Sequence, residues 1–306
     1  MPDKGDLSLG RGRGCHQNGG MPTSIRALRE RAVAELARSG VPDPEVDVEL
    51  LLGHVIGIGR GEVQSKIALD ATLGDDDTVA FDALIARRAA REPLQHLTGR
   101  APFRNLELAV GPGVFVPRPE TEVVAQFAID ALHAAAVAEP IAVDLGTGSG
   151  AIAIAMATEV PRAKVFAVER SPEAFEWAAR NATEAGVGNL ELVLGDLADA
   201  FPDLDGTVAV VISNPPYVPT DAIPRDPEVR LFDPAVALYG GVDGLDLVRA
   251  VSRTGLRLLH QGGTLVIEHG ELQGADIRNL LTSDGWRAPA THPDLLGRDR
   301  ATTALR

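Results

Sequence analysis

The sequence predicts an α/β protein whose larger domain is a doubly wound, mostly parallel, seven-stranded sheet. From about residue 140, short apolar segments alternate with helical ones. These segments are apolar on both faces, as expected for strands that are covered by helices on both sides. Before residue 92, apolar residues instead recur at helical spacing, which predicts a small all-helical domain at the N-terminal end.

Composition narrows the class of protein. The 306 residues suffice for one large or two modest domains, and the net charge of −14 argues against broad binding to nucleic acids or membrane surfaces. The single cysteine, Cys15, excludes an internal disulfide and a CxxC metal site, and it fits a reducing compartment. No apolar run approaches a membrane span and no signal peptide is evident. We therefore expect a cytoplasmic protein that has no membrane partner and no metal.

Four regions follow one another along the chain. Residues 1–20 contain six glycines and few large apolar groups, which predicts a disordered extension, and our hypothesis is that the native start is Met21. Residues 21–92 form the helical domain, with helices near 24–39, from Pro44 and over about 75–91. Residues 93–116 predict a β-hairpin linker that pairs 106–110 with 114–116. Residues 117–306 form the α/β domain.

The α/β domain opens with a helix after Pro117-Arg118-Pro119 that runs to about residue 135. Strands are predicted at 141–145, 164–168, 190–194, 208–213 and 264–268, with a final strand pair after Trp286. Helices are predicted at about 150–159, 172–186, 243–259 and 272–284. The carboxyl ends of such parallel strands form the ligand-binding edge of the sheet.

Three strand ends carry groups that suit a nucleoside. The first is followed by a glycine-rich loop, which lets a ligand approach the backbone closely: Gly146, Thr147, Gly148, Ser149 and Gly150. Glu169 can accept ribose hydroxyls, Asp196 can accept from an adenine amine, and Leu197 can pack on its ring. This pattern leaves both NAD and S-adenosylmethionine open, and Asp144 before the loop favours the second.

The fourth strand ends in Asn214-Pro215-Pro216-Tyr217. Two prolines make a stiff exit from a strand, because they lack N–H groups and have a fixed φ. The amide and the aromatic ring can together hold a flat group that carries NH2. The Pro-Pro pair alone would equally fit a simple turn.

The Asp144–Gly150 loop followed by Asn-Pro-Pro-Tyr resembles the class I S-adenosylmethionine-dependent methyltransferases that modify exocyclic or amide nitrogens. Two stretches, Gly113–Glu122 and Glu228–Leu245, resemble the HemK-type protein-glutamine methyltransferases. That family methylates the glutamine of the Gly-Gly-Gln motif in peptide chain release factors. The resemblance extends over about 24–306.

The resemblance implies a Rossmann-like methyltransferase fold, with S-adenosylmethionine as cofactor and S-adenosylhomocysteine as product. It implies cofactor contacts from residues 146–150, Glu169, Leu197 and Asn214, to which the strand-end pattern adds Asp196. It implies substrate contacts from Asn214, Pro215, Pro216, Tyr217, Arg118 and Phe115, with catalysis by Asn214, Pro215 and Tyr217. Many relatives have Asp at 169 and an aromatic residue at 197. Arg298 matches a family arginine to which we assign no role.

No strong base is evident, and His269 is expected to be a packed or surface residue. We therefore expect catalysis by positioning and polarisation of the amide. The expected partner is a release factor, without direct nucleic-acid contact, and the expected state is a monomer. The alternatives are a ribosomal-protein glutamine methyltransferase, a non-catalytic binding module, and a nucleic-acid amino-methyltransferase. The net charge and the acid-rich 70–77 stretch weigh against the last.

Overall fold

The computed structural model describes residues 23–306, which fall into two compact units that divide between Ala86 and Arg87. The predicted disordered extension and the start at Met21 lie outside the described residues. Across the described range, no helix combines the length and apolarity that crossing a bilayer requires.

The first unit is mostly helical, as predicted. Its helices are α1 (Ile25–Arg38), α2 (Pro44–Ile56), α3 (Arg60–Ala68) and α4 (Asp75–Ala89), the last residues of which belong to the second unit. Ser24 caps α1, because its hydroxyl accepts from the Ala27 N–H. The unit is not all-helical, since β1 (Thr23–Ser24) pairs with β2 (Thr72–Leu73). Helix α3 was not predicted, because it buries only Val63 and follows two glycines.

Residues 93–116 contain a short helix and a hairpin. Helix α5 (Leu94–Thr98) precedes β3 (Arg100–Phe103), which pairs with β4 (Leu106–Ala109). The predicted strand at 114–116 was wrong, and β3 takes its place as the partner of β4. Val114 and Val116 are buried because they pack in a cluster with Trp177, so their alternating apolar pattern reflects burial and not strand pairing.

The second unit contains the predicted seven-stranded sheet. Its strands are β5 (Ile141–Leu145), β6 (Lys164–Glu169), β7 (Leu190–Leu194), β8 (Val208–Ser213), β9 (Leu259–Glu268), β10 (Arg287–Pro293) and β11 (Asp299–Leu305). They lie in the order β10-β11-β9-β8-β5-β6-β7. Strands β5 to β9 pair in parallel, while β11 pairs antiparallel with β9 and β10. The chain order reverses between β5 and β8, where a sheet of this kind opens a crevice.

Helices cover both faces of this sheet. They are α6 (Pro119–Ala134), α7 (Ala151–Glu159), α8 (Pro172–Ala185), α9 (Pro227–Phe232), α10 (Ala235–Leu238), α11 (Asp246–Leu258) and α12 (Gly274–Ser283). Alternate residues of β8 enter two separate cores: Ile212 packs with α6 and α7, and Val211 packs with α11 and α12. This alternation confirms the doubly wound architecture.

Two predicted boundaries in the sheet domain differ from the structure by three residues or more, and the helices α9 and α10 were not predicted. Helix α11 begins at Asp246, three residues later than expected, since Gly244 takes a positive φ of 75° that ends the preceding turn. Strand β9 begins at Leu259, although Gly262 and Gly263 favour a turn. The short helices α9 and α10 lie in a segment that was predicted to be a long loop.

Candidate active site

A cavity of about 380 Å³ opens at the carboxyl ends of the parallel strands. This volume is in the range of cavities that bind small molecules and cofactors. The loops after β5, β6, β7 and β8 form one part of its wall. The rest of the wall comes from residues 113–121 and from a segment between Val229 and Tyr239.

The glycine loop is held by hydrogen bonds within the protein. Gly146 and Gly148 have φ values of 80° and 59°, which side chains with a Cβ rarely adopt. The N–H groups of Gly146 and Thr147 both donate to the Val168 carbonyl, at 2.9 and 3.0 Å. The N–H of Gly150 donates to Thr147. A pyrophosphate needs such donors for itself. The loop therefore favours a nucleoside ligand without phosphates over a dinucleotide.

Asp144 is a buried acid directly before this loop. Its Oδ2 accepts from the Thr147 hydroxyl at 2.6 Å, and its Oδ1 has no hydrogen-bond partner among the described residues. Burial raises the pKa of the Asp144 carboxyl to about 7, and the Thr147 hydrogen bond opposes this rise. A cationic ligand group nearby would supply the missing partner and stabilise the carboxylate. S-adenosylmethionine carries such groups, and the site fits it in this respect.

Glu169 is 8% exposed and lines the cavity. Its two carboxylate oxygens accept from the N–H groups of Gly148 and Ser171, at 2.9 and 2.8 Å. These bonds fix its orientation, and a carboxylate can accept further bonds, for example from ribose hydroxyls. Leu197 also lines the cavity, whereas Asp196 is exposed and accepts from the Ala198 N–H at 2.9 Å. The contact of Asp196 with adenine stays a prediction.

The Asn214–Tyr217 segment forms the wall beside the glycine loop. Asn214, Pro216 and Tyr217 line the cavity, whereas Pro215 is buried and Gly150 lies behind the lining. Neighbouring loops fix its backbone: the Gln273 side-chain amide donates to the Tyr217 carbonyl at 3.0 Å. Added Cβ atoms at Gly240 and Gly244 would lie 2.3 Å from the carbonyl oxygens of Pro216 and Tyr217. These two glycines are therefore required for the close packing of the segment.

Phe115 and Arg118 lie together at the cavity, as the resemblance implies. The Arg118 guanidinium lies over the Phe115 ring, 4.9 Å from its centroid. Its Nη2 donates to Asp233 Oδ2 at 2.6 Å. Burial raises the pKa of the Asp233 carboxyl to about 6, although the Arg118 charge opposes this rise. Arg118 thus connects residues before α6 with the loop that carries α9 and α10.

Two polar side chains next to Asn214 were not predicted as site residues. Thr121, in the first turn of α6, is buried and its hydroxyl oxygen accepts from Asn214 Nδ2 at 3.5 Å. Glu268 ends β9 and is 1% exposed. The pairing of Ser213 with Ile267 brings Glu268 beside Asn214. A single acid at the end of an otherwise apolar strand was the available signal for Glu268.

Burial raises the pKa of the Glu268 carboxyl to about 7, against the opposing effects of Thr121, Arg300 and Asn214. Two other candidates lie elsewhere. His269 is fully buried, and its Nε2 lies 2.8 Å from the Thr302 hydroxyl, so it is a packed residue as expected. Arg298 pairs with Asp294 at 3.1 Å, outside the cavity lining.

Comparisons with known proteins agree with this site. Residues 27–99 match the family described as PrmC N-terminal domain, and residues 105–238 match the family described as Methyltransferase small domain. The chain is 51% identical over 280 residues to the release factor glutamine methyltransferase of Streptomyces coelicolor, covering 90% of this chain and 95% of that protein. It is 43% identical to the enzyme of the same name from Bifidobacterium longum, covering 92% and 99% of the two chains.

A further relative is named for a different activity. The 4-amino-L-phenylalanine/4-methylamino-L-phenylalanine methyltransferase of Streptomyces pristinaespiralis is 38% identical, covering 93% of this chain and 96% of that protein. The identities to the two release factor glutamine methyltransferases extend over nine-tenths of the chain, and the glycine loop and the Asn214–Tyr217 segment line one cavity. This chain therefore belongs to the release factor glutamine methyltransferase family.

Proposed function

We propose that this chain transfers a methyl group from S-adenosylmethionine to the side-chain amide nitrogen of the glutamine in the Gly-Gly-Gln motif of peptide chain release factors. One observation carries the proposal: the residues for a nucleoside cofactor and the amide-binding residue Asn214 line the same cavity. S-adenosylmethionine supplies an electrophilic methyl group on its sulfonium. The chain's own residues must then hold the acceptor nitrogen in line with that group.

The chemical difficulty lies in the acceptor. An amide nitrogen is a weak nucleophile, because its lone pair is delocalised into the carbonyl. We assign the Asn214 side-chain oxygen and the Pro215 carbonyl as acceptors for the two amide hydrogens. Such acceptors increase the electron density on nitrogen and stabilise the positive charge that develops there. The effect is strongest in a site that excludes water.

Tyr217 provides a flat surface for the planar amide. Burial raises the pKa of its hydroxyl above the ordinary value, with the nearby Glu268 charge adding to the effect. The phenol thus stays neutral at physiological pH and does not act as a base. Phe115 and Arg118 would line the approach of the acceptor peptide. The amide proton leaves after methyl transfer.

The partner is proposed to be a release factor in the cytoplasm, without direct contact to nucleic acid, and the enzyme is proposed to act as a monomer. The net charge of −14 supports the absence of nucleic-acid binding. The relative from S. pristinaespiralis supports a second candidate acceptor, an aromatic amine. Its NH2 group offers the same two hydrogens to Asn214 and Pro215.

The test is a methyl-transfer assay with the purified chain and a purified release factor. We expect one methyl group on the glutamine of the Gly-Gly-Gln motif, located by peptide mass spectrometry. The same factor with that glutamine replaced by alanine serves as the control. A ribosomal protein fraction and 4-amino-L-phenylalanine test the alternative acceptors. Methylation of either one, with an unmodified release factor, would overturn the proposal.

A further inference from the structure

Asn214 can serve as an acceptor only if its side-chain oxygen, and not its NH2 group, faces the substrate. The two orientations of a side-chain amide differ by a half-turn and have nearly the same shape. Something outside the cavity must therefore select one of them. Asn214 Nδ2 lies 3.5 Å from the Thr121 hydroxyl oxygen, which accepts its hydrogen.

A hydroxyl alone cannot make this selection, because it can donate as well as accept. The direction of the Thr121 hydrogen is decided by its other neighbour. The pairing of Ser213 with Ile267 places the Glu268 carboxyl beside Asn214, and the Thr121 hydroxyl and the Asn214 amide both favour its ionised form. An ionised carboxylate only accepts. It therefore takes the Thr121 hydrogen and leaves the hydroxyl lone pairs to accept from Asn214 Nδ2.

Glu268 does not touch the cavity. It is 1% exposed and is absent from the lining residues, and its Oε2 has no hydrogen-bond partner among the described residues. Burying such a group is costly unless it is satisfied. Burial of the Glu268 carboxyl with an unpaired oxygen lowers the stability of the fold, so a contribution to stability does not explain why this residue is present.

We propose that Glu268 is a positioning residue which, through Thr121, turns the Asn214 amide so that its oxygen faces the substrate. This inference rests on the proposed function, since it concerns the acceptor that holds the glutamine amide. It also implies a dependence on protonation. A protonated Glu268 can donate, so it no longer dictates the direction of the Thr121 hydrogen.

The charged and titratable groups that face Glu268 come from three elements. Arg300 of β11 favours its ionised form, while Glu120 at the start of α6 disfavours it. Tyr217, after β8, is neutral and adds no charge at physiological pH. Burial is the larger effect, and it raises the pKa of Glu268 to about 7. We therefore expect kcat to increase with pH through this region.

The test compares Glu268→Gln with Glu271→Gln, a matched change at an exposed position three residues later. Methyl transfer to a release factor is measured at saturating cofactor and acceptor from pH 5.5 to 9. Cofactor affinity is measured separately by calorimetry, because Asp144 titrates in the same range. We expect Glu268→Gln to lower kcat roughly 100-fold and to lose the acidic limb of the profile, with unchanged cofactor affinity. Glu271→Gln should retain the wild-type profile.

A second pair of variants covers the case in which Glu268→Gln fails to fold. Thr121→Ser keeps the hydroxyl and should retain activity, whereas Thr121→Val removes it and should lower kcat. The inference is wrong if Glu268→Gln, or Thr121→Val in its place, keeps the wild-type kcat. It is also wrong if kcat and cofactor affinity fall by the same factor. A wild-type chain that does not methylate the release factor would instead refute the proposed function.

Discussion

At the scale of single residues, the site depends on polar groups that are held in place by neighbours distant in the chain. Asn214 contacts Thr121, which lies ninety-three positions earlier in the sequence. This contact gives a physical reason for the joint occurrence of the Pro117–Glu122 and Asn214–Tyr217 motifs. The first helical turn of α6 supports the side chain that the second motif presents.

The role of Asn214 can be tested by Asn214→Ala. Removing one acceptor at the reacting nitrogen should lower kcat roughly 100-fold or more, since such groups act mainly in the transition state. Cofactor affinity, measured by calorimetry, should change little because the glycine loop and Glu169 remain. Asn279→Ala, at an exposed position on α12, is the matched control. Full activity of Asn214→Ala would contradict the assignment.

Gly240 offers a purely steric test of the same segment. A methyl group there would lie 2.3 Å from the Pro216 carbonyl oxygen and 2.7 Å from that of Gly244. Gly240→Ala should therefore displace the segment, lower kcat roughly 100-fold, and reduce the free energy of unfolding by about 1–3 kcal/mol. Kinetics and urea denaturation measure the two effects.

Gly188→Ala is the control for this change, because an added Cβ at Gly188 meets no atom within 4 Å. It should alter neither activity nor stability appreciably. If Gly240→Ala behaves in the same way, the close packing of this loop on Pro216 does not determine the site geometry.

The residues that lie directly at strand ends were predictable from the sequence, because parallel strands place their carboxyl ends at one edge. Glu169, Leu197, Asn214 and Tyr217 do line the cavity. Glu268 was not predicted, since its importance depends on burial and on the pairing of β8 with β9. Asp196 also follows a strand, but its side chain accepts a hydrogen bond in the next turn instead.

At the scale of elements, the segment with α9 and α10 was the hardest to predict. Its helices are short, and their positions are fixed by ion pairs with distant residues. The carboxylate of Glu228 in α9 accepts hydrogen bonds from the guanidinium groups of Arg88 and Arg91, each at 2.8 Å. Burial opposes ionisation of Glu228, but the hydrogen bonds from these arginines hold its pKa down at about 2. Neither ion pair follows from periodicity, because the partners are more than a hundred positions apart.

Glu228→Gln tests how strongly this segment is fixed. The change leaves two arginines near a neutral amide, and breaking a buried ion pair in this way costs about 3 kcal/mol. Urea denaturation should show this loss at pH 7. The acceptor KM should also increase, because Val229 and Pro234 of the same segment line the cavity.

A surface ion pair provides the comparison. Glu139 pairs with Lys164 at 3.2 Å, and both side chains are more than half exposed. Glu139→Gln should change the free energy of unfolding by less than about 1 kcal/mol. Equal effects of the two substitutions would show that the Glu228 contacts contribute no more than a solvated pair.

At the scale of the whole molecule, three buried carboxyls link stability to pH. Burial raises the pKa values of Asp144 and Glu268 to about 7 and that of Asp233 to about 6. These three carboxyls stabilise the folded chain fully below about pH 4, where they are protonated in the unfolded chain as well. This stabilisation is lost as the pH rises through their pKa values in the folded chain. Burial lowers the pKa values of His96 and His269, so these two groups make the free energy of unfolding increase with pH, mainly below pH 6.5.

We therefore expect the free energy of unfolding to fall by about 1 kcal/mol between pH 6.5 and 8. Chemical denaturation of the full chain without cofactor at several pH values measures this change. In Glu268→Gln the fall should be smaller by about 0.8 kcal/mol, because one of the two groups that titrate near pH 7 is gone. A free energy of unfolding that increases over this interval would contradict the assignment.

The sheet order and its helical layers were predictable at this scale, since apolar strands and alternating helices restrict the topology strongly. The β1–β2 pair and the pairing of β3 with β4 were not, because strands of two to four residues carry little periodic signal.

The cavity wall has two parts that come from different stretches of chain. Strand ends after β5, β6 and β7 form the part that we propose for the cofactor, and residues 113–121 and 214–239 form the part that we propose for the acceptor. Apart from Asn214, which we assign to both parts, the second part can change while the strand ends of the first are retained. Such a division allows activity on new acceptors to evolve while the methyl-donor site is retained. A mutant library intended to change the acceptor should therefore vary residues of the second part. The aromatic-amine methyltransferase, 38% identical to this chain, has the kind of activity that such divergence would produce.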